Sequence, residues 1–230
     1  MKAVILAGGF GKRLRPLTNE IPKPMIMVND KPIIGWQIEW LKANGINDIV
    51  IAAGYKREHI IDYLKDGKEL SVNIEYVIEE EPLDTGGGLK NAKEALKEER
   101  SFFVINGDIL TNLKINGMQN ITDCIGVLAV VPLPSPFGIV NIDDMQNILG
   151  FVEKPKIMDY WINAGVYYLK NEIFDYLPDV GSIEKVTFPK LADERKLKAV
   201  KYPDVYWRSI DSHKDIEEAT KDLKELGSLA

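Results

Sequence analysis

The sequence predicts an α/β fold: a doubly wound, Rossmann-like mixed sheet, mainly parallel, with an antiparallel insertion in its second half. Three observations predict it. Four short apolar runs in the first half alternate with segments of helical period, the signature of parallel strands joined by right-handed crossovers. From about residue 120 the pattern changes to successive short strands with turn residues between them, as in antiparallel pairs. The first apolar run, Val4-Ile5-Leu6-Ala7, passes straight into three glycines within four positions, Gly8, Gly9 and Gly11, and three cations follow at Lys12, Arg13 and Arg15.

The elements follow in order. Lys2–Ala7 is an apolar strand. Residues 32–44 carry Ile33, Trp36, Trp40 and Leu41 at helical spacing, with Gly45 as a stop. Asp48–Ala53 reads as a buried strand, 56–65 as a helix ending at Asp66-Gly67, and Asn73–Ile78 as a third strand. A helix is predicted over 89–98, then a fourth strand, Ser101–Asn106, leading to Asp108. In the second half, strands are predicted at 124–131, 138–142 and 148–153, with a turn at 143–147. A strand at 166–169, a short helix at 172–177 and strands at 198–202 and 206–210 complete the set. The last helix begins at Ser212 with Asp215 placed for a capping box, and puts Ile216, Ala219, Leu223 and Leu226 on one face.

Composition narrows the function classes. With 230 residues the chain is long enough to bury a full core, and no Pro/Gly/Ser linker divides it, so one domain over 1–230 is expected. The net charge of −6 argues against general nucleic-acid affinity, so an anion site has to come from local cations. A single cysteine, Cys124, excludes an intrachain disulfide and reads as a buried structural thiol. Neither His59 nor His213 belongs to a Cys/His cluster, so zinc is not supported. No leader-like segment precedes the first strand and no apolar run approaches a bilayer span, so a cytoplasmic protein without a membrane partner is expected.

The glycine turn carries the chemistry. Without a Cβ, Gly8, Gly9 and Gly11 can bring backbone N–H groups against an anion, and Lys12, Arg13 and Arg15 supply charge for a polyphosphate. Two familiar phosphate loops fail on spacing. A dinucleotide fingerprint needs a glycine where Leu14 stands, and a P-loop needs Ser or Thr where Arg13 follows Gly11-Lys12.

The run Gly8-Gly9-Phe10-Gly11-Lys12-Arg13-Leu14-Arg15-Pro16-Leu17-Thr18, followed by Pro22-Lys23-Pro24-Met25, resembles the signature of the sugar-1-phosphate nucleotidyltransferases, or nucleotide-sugar pyrophosphorylases. The resemblance continues through Glu81-Pro82-Leu83-Asp84-Thr85-Gly86-Gly87-Gly88, Asn106-Gly107-Asp108, Phe151-Val152-Glu153-Lys154-Pro155 and Asn163-Ala164-Gly165-Val166-Tyr167, in order over nearly the whole chain. It implies that a nucleotidyl group passes from an NTP to a sugar 1-phosphate, giving an NDP-sugar and pyrophosphate. It also implies a mainly nucleotide-binding half over 1–120 and a mainly sugar-binding half over 121–230. Hexapeptide repeats of the β-helix tail found in longer relatives do not occur after residue 200.

Such chemistry needs positioning, a metal ion and cations rather than covalent help. Arg13 is the candidate grip on the leaving pyrophosphate; Lys12 and Arg15 are either further phosphate contacts or solvated charges. Lys23, held between Pro22 and Pro24, is by resemblance the charge-stabilising residue at the α-phosphate. Asp108, beyond an apolar strand, suits Mg²⁺, the expected cofactor. Many relatives read Trp-x-Asp-Ile-Gly near the end; here the text is Trp207-Arg208-Ser209-Ile210-Asp211, with the aspartate two residues later. On a strand, positions i and i+2 share a side, so Asp211 is either the second metal ligand or a cap of the last helix.

Resemblance assigns Glu153, Lys154, Asn163, Gly165 and Gly138 to the sugar phosphate. It assigns Leu6, Ala7, Gly8, Gly9, Gly11, Lys12, Arg13, Glu81, Thr85, Gly86 and Gly87 to the nucleotide. The Glu-Pro-Leu-x-Thr-Gly-Gly-Gly run resembles guanylyltransferase loops, which favours mannose 1-phosphate with GTP. Glucose 1-phosphate with UTP or dTTP, and a catalytically silent sensor or regulatory subunit, are the alternatives. A homo-oligomer is compatible with all of them.

Overall fold

The protein is described from a computed structural model covering residues 1–229. Thirteen strands and five α-helices make up the fold among the described residues. The strands of the first half are β1 (Lys2–Ala7), β2 (Met27–Val28), β3 (Lys31–Pro32), β4 (Asp48–Ala53), β5 (Asn73–Ile78), β6 (Ser101–Asn106) and β7 (Ile109–Thr111). Those of the second half are β8 (Gly126–Pro134), β9 (Ile139–Ile142), β10 (Ile148–Val152), β11 (Lys156–Lys170), β12 (Leu197–Lys201) and β13 (Trp207–Ser209). The helices are α1 (Ile33–Ala43), α2 (Arg57–Leu64), α3 (Asp84–Asn91), α4 (Phe188–Asp193) and α5 (His213–Leu226).

Seven strands form the central sheet in the order β12-β8-β11-β6-β1-β4-β5. β1 runs parallel to β4 and β6, β4 to β5, and β12 to β8, while β11 is antiparallel to both β6 and β8. The mixed, mainly parallel sheet read from the sequence is therefore the one observed. β9 and β10 pair only with each other, as an antiparallel hairpin off the main sheet.

The sheet is buried on both faces. Along β1, Ala3, Ile5 and Ala7 enter one apolar cluster with residues of α1, α2 and α5, whereas Val4 enters another with residues of α3 and α4. Strands covered on both sides read as continuous apolar runs, which is why β1, β4 and β6 stand out in the sequence. Because β1 lies between β4 and β6, chain connections leave its two sides in opposite directions, and ligands of open α/β sheets bind in the crevice this opens at the carboxyl ends.

Several elements differ from the sequence reading. The helix predicted over 89–98 begins five residues earlier, at Asp84, and takes in Thr85, Gly86, Gly87 and Gly88. Glycine is a poor helix former, but packing decides here: a Cβ on Gly86 or Gly87 would stand 2.7 or 2.5 Å from the carbonyl oxygens of Gly181 and Asp179. The strand predicted at 166–169 is the end of a fifteen-residue β11 that bridges two partners through two register shifts. In place of the helix predicted over 172–177 there is a 3₁₀ turn, Asn171–Asp175. In α5 the capping box forms and Ala219 and Leu223 are buried, but Leu226 is exposed as the helix ends at Gly227.

Candidate active site

The carboxyl ends of β1, β5 and β6 and the start of α3 enclose a cavity of about 440 Å³. Leu6 and Ala7 line it from the end of β1 and Gly8 and Gly9 from the turn that follows, with Lys23 beside them. Glu79 follows β5, Asp84 and Thr85 open α3, Asn106 ends the apolar β6 and Asp108 comes two residues later.

Two carboxylates meet on one ammonium. Lys23 Nζ donates to Asp108 Oδ2 at 2.6 Å and to Asp211 Oδ1 at 2.8 Å, so these oxygens lie within about 5.4 Å of each other. Topology brings them together across 100 residues of sequence: β13 pairs with β7, setting Ser209 against Ile109, and Ile210 N–H donates to the Asp108 carbonyl at 2.9 Å. The backbone of Lys23 is fixed in a short 3₁₀ turn, Lys23–Met25, and Gly11 packs against it: a Cβ there would stand 3.1 Å from Lys23 Cβ. Gly11 has φ +60°, a left-handed conformation that suits glycine.

The alternatives for Asp211 separate cleanly. Ser212 is the N-cap of α5, and Asp215 closes the box by accepting from the backbone N–H groups of Asp211 and Ser212. The Asp211 side chain turns instead to Lys23 and to Arg13, whose Nη2 lies 2.8 Å from Oδ1, while Ser209 Oγ donates to Oδ2 at 2.7 Å. Burial pushes the Asp211 carboxyl up, but the hydrogen bonds from Lys23 and Ser209 and the charges of Lys23 and Arg13 outweigh it and hold the group below its ordinary value. Two hard oxygen donors converge here, their charge balanced by Lys23 and Arg13, and such a donor set is the kind magnesium takes when phosphate and water complete its shell.

Glu79 was absent from the sequence assignments and lines the cavity at only 8% exposure. A Cβ on Gly8 would stand 2.5 Å from its Oε2, and one on Gly88 would stand 2.7 Å from Oε1. Both glycines therefore make room for this carboxylate. Burial raises the Glu79 carboxyl, the Leu83 N–H pulls it down, and the neighbouring Asp84 charge adds to the rise. A signal was available: Glu79 directly follows a parallel strand, at the edge where such sheets keep their ligand residues, as Asp108 does. Glu81, chosen from the motif, is exposed and lies outside the cavity lining.

The remaining assigned residues are dispersed over the fold. Gly9 lines the cavity, and a Cβ there would meet nothing within 4 Å. Lys12, Arg13 and Arg15 are exposed in the turn beyond, with the Lys12 ammonium 5.6 Å from the Phe10 ring centroid. Gly86 and Gly87 lie outside the cavity lining: both backbone N–H groups donate to the Gly181 carbonyl, at 2.8 and 3.2 Å. Thr85 lines the cavity, but its hydroxyl is committed to Glu184 Oε2 at 2.6 Å.

That bond opens a buried polar network. Tyr167 OH donates to Glu184 Oε1 at 3.1 Å and accepts from Asn163 Nδ2 at 2.8 Å, while Asn163 Oδ1 accepts from Gly165 N–H at 2.9 Å. Burial acts to raise the Glu184 carboxyl, yet the hydrogen bonds from Thr85, Ser182 and Tyr167 hold it below its ordinary value. Asn163 and Gly165 are thereby tied to α3 and to Asn106, whose Nδ2 would be 3.2 Å from a Cβ on Gly165. Gly138 and Glu153 form a separate group at the foot of the β9–β10 hairpin. A Cβ on Gly138 would be 2.9 Å from Glu153 Oε2, and Lys154 Nζ is 3.6 Å from Glu153 Oε1.

Comparison with known proteins gives this arrangement a family. The family model described as Nucleotidyl transferase matches residues 2–225. The chain belongs to the nucleotidyl transferase family. Among curated nucleotidyl transferases, the Saccharomyces cerevisiae mannose-1-phosphate guanyltransferase is 39% identical, covering 100% of this chain and 66% of the relative. The Arabidopsis thaliana mannose-1-phosphate guanylyltransferase 1 is 38% identical over 94% of this chain and 62% of its own length. The chain thus spans about two-thirds of the length of these relatives. Among solved structures, HddC from Yersinia pseudotuberculosis complexed with GMP-PN superposes with a TM-score of 0.75 at 31% identity, covering 96% of this chain and 99% of that one. A putative glucose-1-phosphate thymidylyltransferase from Bacillus anthracis, TM-score 0.78 at 22% identity over 98% and 96% of the two chains, shares the nucleotidyl transferase fold.

Proposed function

We propose that this chain transfers a guanylyl group from GTP to mannose 1-phosphate, giving GDP-mannose and pyrophosphate, with Mg²⁺ as cofactor. The observation that carries the reaction is the meeting of Asp108 and Asp211 on Lys23 beside the three-glycine turn. The names of relatives 38–39% identical support the substrate pair.

The base is supported by Glu79. Guanine presents two donors side by side, N1–H and the N2 amino group, and an ionised carboxylate accepts both at once. Uracil and thymine present one N–H between two carbonyl oxygens, which a buried carboxylate repels. A site built on hydrogen bonding discriminates strongly because the wrong base leaves its buried groups unpaired.

In the reaction, an oxygen of the sugar phosphate attacks the α-phosphorus; the new O–P bond forms as the bond to the β-phosphate oxygen breaks, and pyrophosphate leaves. Lys23 neutralises charge at the α-phosphate, and Arg13 offers a planar fork to the departing pyrophosphate. Asp108 and Asp211 would hold Mg²⁺, which supplies Lewis-acid charge to phosphoryl oxygens when bound. Glu153 and Lys154 are read as contacts to the sugar hydroxyls and sugar phosphate.

The test is an assay of pyrophosphate release and NDP-sugar formation with Mg²⁺ across the common NTPs and a panel of hexose 1-phosphates. Turnover should be highest with GTP and mannose 1-phosphate. No turnover with any pair overturns the reaction, and preference for UTP or dTTP with glucose 1-phosphate overturns the substrates.

A further inference from the structure

Helix α1 buries Ile33, Ile34, Trp36, Ile38, Trp40 and Leu41, and among these apolar side chains Gln37 is only 2% exposed. Gln37 Nε2 donates to the Asn106 carbonyl at 2.9 Å and to the Ile109 carbonyl at 3.0 Å. One amide thus uses both of its hydrogens on the two sides of Gly107-Asp108. Its Oε1 is buried without a hydrogen-bond partner among the described residues. A buried acceptor left unpaired costs about 1–3 kcal/mol, which leucine or methionine at this place would avoid. Either of them would also remove the donor to the two carbonyls, and that donor explains an amide here.

We propose that Gln37 is a positioning residue for Asp108: its amide clamps the backbone on both sides of this aspartate and so fixes where the carboxylate meets Lys23 and Asp211. The strand pairing shows why a clamp from α1 is needed. Ile109 faces Ser209, and the adjacent backbone bond runs from Ile210 N–H to the Asp108 carbonyl. By the alternation of an antiparallel ladder, the Ile109 carbonyl then points away from β13 and has to find its donor elsewhere. Gln37 supplies it.

Three elements converge on Asp108. On the β1 side, Gly107 N–H donates to the Leu6 carbonyl at 3.0 Å, and a Cβ on Gly107 would stand 2.5 Å from that oxygen. On the β13 side Ile210 N–H holds the Asp108 carbonyl, and from α1 comes the Gln37 amide. A carboxylate that must share an ion with a second one needs such a fixed backbone, since a small misplacement weakens both contacts. The same helix offers a matched control. Trp40 Nε1 donates to the Leu113 carbonyl at 2.9 Å, a bond to the same stretch of chain but five residues past Asp108. The clamp does not depend on the proposed reaction; its effect on metal affinity rests on that reading.

In amide hydrogen exchange of the full chain without substrates, Gly107 and Ile210 should be as protected as the amides inside β1 and β6. Loop-like exchange at either overturns the clamp, whether or not a variant folds. Gln37→Met, similar in length and without a donor, should speed exchange at these two amides at least about tenfold and leave β4 unchanged. It should also weaken Mn²⁺ binding, read by electron paramagnetic resonance with Mn²⁺ as the probe, by about tenfold or more. Trp40→Phe should lower Tm yet leave Mn²⁺ affinity and exchange at Gly107 and Ile210 as in wild type. Unchanged Mn²⁺ affinity in Gln37→Met, or an equal loss in both variants, overturns the positioning role. A wild-type chain that binds no Mn²⁺ counts against the proposed reaction, and the exchange at Gly107 and Ile210 then decides the clamp by itself.

Discussion

The carboxylate of Glu79 lies against the α-carbon of Gly8, so closely that a Cβ on this glycine would stand 2.5 Å from Oε2. The first glycine of the three-glycine turn is thus also one wall of a buried carboxylate's cleft. Gly8→Ala is expected to displace Glu79, lower stability by about 1–3 kcal/mol and raise KM for GTP, as read by thermal unfolding and steady-state kinetics.

Exchange of the same carboxylate should change the base. A glutamine at position 79 accepts one hydrogen and donates another, matching the N3–H and carbonyl edge of uracil or thymine. We expect Glu79→Gln to lower kcat/KM for GTP at least tenfold relative to UTP, about 1.4 kcal/mol of discrimination. An unchanged ratio would remove Glu79 from base selection.

Glu79 also has a stability signature with a definite sign. Burial raises its folded-state pKa, so the folded protein holds its proton to higher pH than the unfolded chain does. Its contribution to stability therefore falls as pH rises from the ordinary glutamate range through the raised value, and stays lost above it. Glu79→Gln should have a higher Tm than wild type at pH 7, and the gap should close as pH approaches 4.

The pair around Lys23 predicts a metal requirement. Lys23→Ala and Asp108→Asn should each reduce kcat/KM by more than tenfold, at least about 1.4 kcal/mol of transition-state stabilisation. Asp211→Asn should raise the Mg²⁺ concentration needed for half-maximal rate, measured by metal titration. Because its partners hold the Asp211 pKa down, the wild-type protein also loses stability as pH falls through that lowered value, and Asp211→Asn should lack this acid-limb loss.

The Thr85–Glu184–Tyr167 network predicts the opposite balance. Thr85→Val strips a 2.6 Å hydrogen bond from a half-buried carboxylate and should cost about 1–3 kcal/mol in denaturant unfolding. Base preference should hold, since the Thr85 hydroxyl serves Glu184.

Much of this protein was determined by its sequence alone. The strands Lys2–Ala7, Asp48–Ala53, Asn73–Ile78 and Ser101–Asn106 have the bounds read from the sequence. The first, second and fourth are covered on both faces and leave an unbroken apolar signal, whereas Asn73–Ile78 lies at the sheet edge with Asn73 and Glu75 exposed. Lys23, Asp108 and Asp211 were likewise named from their motifs. Tertiary structure decided what they face. Only the β7–β13 pairing sets Asp211 beside Asp108, and only the packing of 178–183 makes a helix of Thr85-Gly86-Gly87-Gly88 and leaves Gly86 and Gly87 outside the cavity lining. Glu79 looks like any acid in the run Glu79-Glu80-Glu81 until the fold buries the first and leaves the others in water. Local pattern records which residues leave solvent along an element; which buried groups meet depends on contacts between segments far apart in the chain, and no local period encodes those.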